Sequence, residues 1–152
     1  MQIKKEPYLT ADEITELWRT GKKPDWRQQP LQGRKEWLNA CVQWTGLPKT
    51  RIHRDNYILD GLQVTDETAF YCLLGAAFFG YRGYFGQDLY GFNDCFSEIA
   101  LHQKEKTLVE SGSIVIIYHP IELANILNNE YGNYFKTFLG DLKKYGLDVI
   151  LK

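Results

Sequence analysis

Apolar positions recur at helical spacing through most of this chain, interrupted by three short runs with strand character. Thr10-Ala11-Asp12-Glu13 has the form of a capping box, with Thr at the N-cap and Glu three residues on. Ile14, Leu17 and Trp18 follow at helical intervals, predicting a helix over 11–20 that Gly21 ends. Pro24 and Pro30 mark residues 22–33 as a loop. Trp37, Leu38, Cys41, Val42 and Trp44 predict a second helix over 34–45, with Trp37 and Trp44 on one buried stripe and Gly46 and Pro48 as the stop. Tyr57 to Gly61 reads as a short strand ending in a turn. A helix starts within Thr65–Thr68 and runs to Phe79, its inner side being Phe70, Leu73, Leu74, Ala77 and Phe78. Gly80 and Gly83 break it, and a further helix is expected over 88–100.

Ser113 to Tyr118 contains a continuous β-branched run without alternation. Such a run predicts a strand buried on both faces in the middle of a parallel sheet. Helices are expected over 121–128 and 131–145, the latter turning Tyr134, Phe135, Phe138, Leu139 and Leu142 inward. Gly146 ends it, and Leu147 to Leu151 forms the last strand. Strands separated by helical crossovers imply an α/β fold, a small three-stranded parallel sheet with flanking helices and right-handed connections. Residues 56–152 form that domain, and residues 1–55 a helical extension packed on it, since all four Trp precede residue 45.

Composition narrows the function. The chain has 152 residues, 44% of them hydrophobic, enough for a real core in one domain with an extension. No apolar run approaches the ~20 residues of a membrane span. Basic residues near the N-terminus lack the apolar stretch of a secretory signal, so a cytoplasmic location is expected. Cys41, Cys72 and Cys95 are odd in number and widely spaced, as buried thiols in a reducing compartment would be. His53, His102 and His119 are scattered without metal-ligand spacing, and no nucleophile-elbow, phosphate-loop or zinc-protease motif occurs. A binding protein without metal or cofactor is expected, not an enzyme. Charge is uneven: residues 1–56 carry eleven Lys/Arg against seven Asp/Glu, residues 57–152 seven against twelve. The acidic part suits a basic protein partner. The N-terminal part interleaves Arg and Lys with Trp18, Trp26, Trp37 and Trp44, a pattern that also suits nucleic acid.

The stretch from Arg82 to Glu98 carries the candidate chemistry. A Gly and aromatic loop leads into Asp88, placed to cap a helix. Leu89, Phe92 and Phe96 then face inward, while Tyr90, Asn93, Asp94 and Ser97 share the opposite face. Residues 57–152 resemble the barstar family of intracellular ribonuclease inhibitors. The resemblance rests on four runs: Leu59-Asp60-Gly61, Tyr84-Phe85-Gly86-Gln87-Asp88-Leu89, Phe92-Asn93-Asp94-Cys95-Phe96 and Lys144-Tyr145-Gly146-Leu147-Asp148-Val149. It implies that the loop and helix fill the active site of a ribonuclease toxin in a one-to-one complex, with Asp94 standing in for an RNA phosphate. It further implies that Tyr84 packs on the enzyme and that Asp141 joins the interface. Asp88 stands where the family has a helix-entry Asn. Tyr90 and Asn93 replace an acidic residue and a Trp of the family, which implies a different target. The expected binding set is thus Tyr84, Asp88, Tyr90, Asn93, Asp94, Ser97 and Asp141.

Overall fold

The computed structural model describes residues 7–49, 55–101 and 113–152. Among these residues, six α-helices accompany a three-stranded parallel sheet: α1 (Ala11–Arg19), α2 (Leu31–Thr45), β1 (Asn56–Asp60), α3 (Glu67–Phe79), α4 (Leu89–Leu101), β2 (Ile114–Tyr118), α5 (Pro120–Tyr131), α6 (Tyr134–Lys144) and β3 (Asp148–Leu151). The strand order is β1-β2-β3. The expected α/β class and parallel sheet are what the chain forms. Ile58, Ile116 and Ile150 stand in register across the three strands.

β2 departs from its expected environment. Val115 and Ile117 are buried beneath the helices, whereas Ile114 and Ile116 are only half-buried and Tyr118 is exposed. Helices cover one face of the sheet, where Tyr57 of β1 stacks on Phe78 of α3 at 4.5 Å. The other face keeps Ile58 and Ile150 partly exposed at its two edges. An unbroken apolar strand therefore marks the centre of this sheet without marking two covered faces.

α3 is the middle layer. Ala69 through Gly75 are all buried, so the helix is apolar all round and packs on both sides. Asp66 caps its start by accepting the Ala69 N–H at 2.8 Å. The same carboxylate pairs with Arg34 of α2, whose Nη1 also donates to the Gln29 carbonyl at 2.6 Å. One acid thus starts the central helix and anchors the N-terminal helices to it. α2 begins at Leu31, earlier than periodicity suggests, because Gly33 is a packed helical residue and not a loop glycine. A Cβ there would collide with the Gln29 side chain. Residues 22–30 include one 3₁₀ turn, Trp26–Gln28, capped by Asp25. The predicted capping box at Thr10 and Glu13 is present. All three cysteines are free and buried. Burial pushes the Cys41 and Cys95 thiols up to about 12.

Gly75 and Gly83 bring α3 and the following loop into direct backbone contact. A Cβ on Gly75 would lie inside the van der Waals shell of the Gly83 carbonyl, and one on Gly83 inside that of Gly75. Neither neighbour is a side chain that can swing away. Gly75→Ala is expected to lower stability by about 1–3 kcal/mol, the usual cost of overpacking. Gly140→Ala in α6, where nothing lies within 4 Å, should be neutral or stabilising by up to about 1 kcal/mol. Denaturant midpoints of the two variants check both, and an undiminished midpoint for Gly75→Ala would refute the contact.

Candidate interaction face

The loop from Gly80 to Asp88 is built around one inward ring. Phe85 is buried against Phe78, Phe79, Phe92 and Phe96, with ring centroids 4.8–5.3 Å away. Its flanks are fixed as well. The Gly83 N–H donates to the Gly80 carbonyl at 2.8 Å. Gly86, at φ 93°, lies so close to Gly91 and Phe92 that no larger residue fits. Asp88 is the N-cap of α4: its carboxylate accepts the Gly91 N–H at 2.7 Å and its carbonyl accepts the Phe92 N–H at 2.9 Å. Loop and helix are thereby a single rigid unit.

α4 has the two faces expected of it. Phe92, Cys95, Phe96 and Ile99 are buried, and Phe96 stacks on Tyr145 at 4.3 Å. Tyr90, Asn93, Asp94 and Ser97 are exposed together, Tyr90 to 80%. Asp88 is exposed at the end of the same face. Among the described residues Asp94 has no ion-pair partner.

Two expected contact residues are placed differently. Tyr84 is folded inward and only 8% exposed. Burial pushes its phenol up to about 12, with Cys95 adding to the effect and a hydrogen bond from Gln87 opposing it. It shapes the loop from inside and offers little surface to a partner. Asp141 belongs to α6, the helix whose Phe138 packs on Phe92 of α4. It is half-buried, on a different helix from the exposed α4 residues.

Sequence reasoning missed the clamp that holds the other end of the loop. Arg82 has a left-handed backbone, φ 69°, a conformation uncommon for a long side chain. Its guanidinium lies 5.0 Å from the Trp44 ring centroid and 5.8 Å from that of Trp18. Tyr81 bridges back as well: its hydroxyl accepts from Trp18 Nε1 at 3.0 Å and donates to the Pro24 carbonyl. Trp18 and Trp37 meet edge to face at 5.1 Å. No local sequence signal points to Arg82, because its partners lie 38 and 64 positions away.

The N-terminal aromatics are mostly committed to this packing. Trp18, Trp26 and Trp37 are buried, so the expected Trp37–Trp44 stripe is buried only at Trp37; Trp44 remains 39% exposed. Arg19, Arg27 and Arg34 pair with Glu16, Asp25 and Asp66. Arg51 and Arg54 lie outside the described residues. A cleft of about 390 Å³ opens beside residues 23–27, walled by Trp26, Trp37, Leu73, Ala76 and Tyr81. None of the exposed α4 residues lines it.

No family model, curated protein or solved structure matches the chain. The site therefore rests on its own geometry. Among the described residues, no group of three or more His, Cys, Asp or Glu could hold a metal, and no helix is long and apolar enough to cross a membrane.

The Asp141 carboxyl is raised above its usual range by burial, with Lys144 opposing the shift. The folded state therefore holds the Asp141 proton more tightly than the unfolded chain does. Its contribution to stability is present at low pH and is lost as pH rises through the raised folded value. Asp141→Asn should stabilise the free protein slightly at neutral pH, and the gain should vanish in acid. Urea melts at pH 7 and in mild acid check this; a variant less stable than wild type at pH 7 would refute it.

Proposed function

We propose that this chain is an inhibitor protein that plugs the active site of a bacterial ribonuclease toxin, acting as its one-to-one immunity partner. The observation that carries this reading is the exposed Asp94 carboxylate, which has no ion-pair partner among the described residues, on a helix whose cap is hydrogen-bonded and whose preceding loop is packed on Phe85. A ribonuclease binds RNA phosphate with Lys, Arg or His. A carboxylate carried on a packed helix meets such cations with charge-assisted hydrogen bonds, and the backbone behind it needs no ordering. Tyr90 supplies a large, low-entropy contact surface beside it, the role expected of Tyr84. Asn93 and Ser97 add hydrogen-bonding groups on the same face, Asp88 adds negative charge at its end, and Asp141 adds it at the margin. Complementary charge also speeds encounter.

The resemblance of residues 57–152 to barstar-type inhibitors, and the parallel α/β architecture around the loop, support the same reading. It implies a cytoplasmic protein guarding against a nuclease delivered between bacteria, such as the C-terminal domain of a contact-dependent toxin. Nucleic-acid binding by the N-terminal region draws less support, because three of its four indoles are inside the core.

Asp94→Ala should weaken binding to the ribonuclease toxin proposed as its partner by at least about 2 kcal/mol, or roughly 30-fold, the level of an interface hot spot. Wild-type association should slow as salt rises. Inhibition titrations and stopped-flow mixing at two salt concentrations measure both. Unchanged affinity for Asp94→Ala would sink the assignment.

A further inference from the structure

We propose that Asn39 of α2 is a positioning residue for the α4 face: Glu36 fixes the orientation of its amide, and that amide pins Gln87, the residue directly before the cap of α4. This rests on the reading of α4 as the face that meets a partner.

The relay is built from three side chains. Gln87 Nε2 donates to Asn39 Oδ1 at 3.1 Å, and Asn39 Nδ2 donates to Glu36 Oε2 at 3.3 Å. Glu36 and Asn39 stand one turn apart on α2, so they share a helix face. All three residues are half-buried, which limits the water that can compete for these bonds. An ionised carboxylate only accepts hydrogen bonds. Asn39 must therefore turn its NH2 towards Glu36, which leaves its carbonyl for the loop, and Gln87 must answer with an NH2. One acid thus sets the donor order from α2 to the entry of α4.

The link supplies what the packing beneath α4 lacks. Phe85, Phe92 and Phe96 hold the helix by apolar burial, a force without direction. A hydrogen bond weakens steeply as its angle departs from linear. Pinning the residue before the cap therefore limits the roll of α4 about its own axis. Helical side chains reach about 5–6 Å from the axis, so a roll of about 10° would move the Asp94 carboxylate by about 1 Å. That is enough to lose a charge-assisted hydrogen bond of about 2.7–2.9 Å.

The test reverses the relay in the full chain. In Gln87→Glu two acceptors face each other, and Asn39 cannot turn because Glu36 still takes its NH2. Hydrogen exchange at the Gly91 and Phe92 amides, both bonded to Asp88, should accelerate at least about 10-fold with little change in melting temperature. Glu36→Gln frees Asn39 to turn round, so Glu36→Gln combined with Gln87→Glu should return exchange to near the wild-type rate. Unchanged exchange in Gln87→Glu, or acceleration that Glu36→Gln does not reverse, overturns the relay. Asn39→Leu alters no charge; it should accelerate the same amides and weaken binding at least about 3-fold when titrated beside Asp94→Ala. If Asp94→Ala weakens binding and Asn39→Leu does not, the positioning role falls alone. If Asp94→Ala binds as wild type while exchange follows the relay, the α4 reading falls and takes the positioning role with it.

Discussion

The structure depends on Phe85. One aromatic side chain from a loop enters the space between α3 and α4 and touches two phenylalanines on each. Burying a ring of this size contributes roughly 2–3 kcal/mol. Its larger effect is geometric. With Phe85 seated, the residues before it must lie on α3, where the Gly75–Gly83 approach admits no side chain, and those after it must turn at Gly86 into α4. The orientation of α4, and so of Asp94, follows from the position of this ring.

The N-terminal helices complete the same arrangement. They pack on α3, tied by Arg34 to the carboxylate that caps it, and they reach the loop through Trp18, Trp44, Pro24 and Asn39. The segment is continuous with the core of the rest of the chain. Its indoles pack on one another, Trp18 on Trp37 and Trp44, and on Tyr81. The acid–base pairing at Asp66 does two jobs that a surface ion pair of equal geometry would not, since its Arg34 side chain is only 12% exposed.

Much of this was legible in the chain. The two faces of α4, the caps at Thr10 and Asp88, the start of α3 within Thr65–Thr68, and the alternation of strands and helices follow from periodicity and from the chemistry of helix ends. What was not legible depends on neighbours distant in sequence. Gly33 looks like a loop breaker until Gln29 is seen packed against it. Tyr84 and Phe85 are adjacent aromatics, and only the position of α3 decides that both turn inward. Trp44 fits the stripe of Trp37 by spacing, yet it lies at the end of its helix, where the core has run out. β2 is apolar throughout, but only one side of the sheet has helices to cover it. Arg82 has no local signal, because a left-handed arginine is held by two indoles that precede it by dozens of residues.

The parallel sheet divides the molecule by the reach of its contacts. Phe85 finds Phe78 and Phe92 seven residues away on either side. Asn56 pairs with Ile114 across 58 residues, and Ile114 with Asp148 across 34. Closing a flexible loop of the first kind costs roughly 2 kcal/mol in chain entropy, and one of the longest kind roughly 3–4 kcal/mol. Contacts around the loop are therefore the cheaper ones to form, and they shorten the distance the strands must still close. The aromatic hub that holds the α4 face in place is in this sense also a splint for the sheet: by compacting α3 and α4 it brings β1 and β2 within reach of each other.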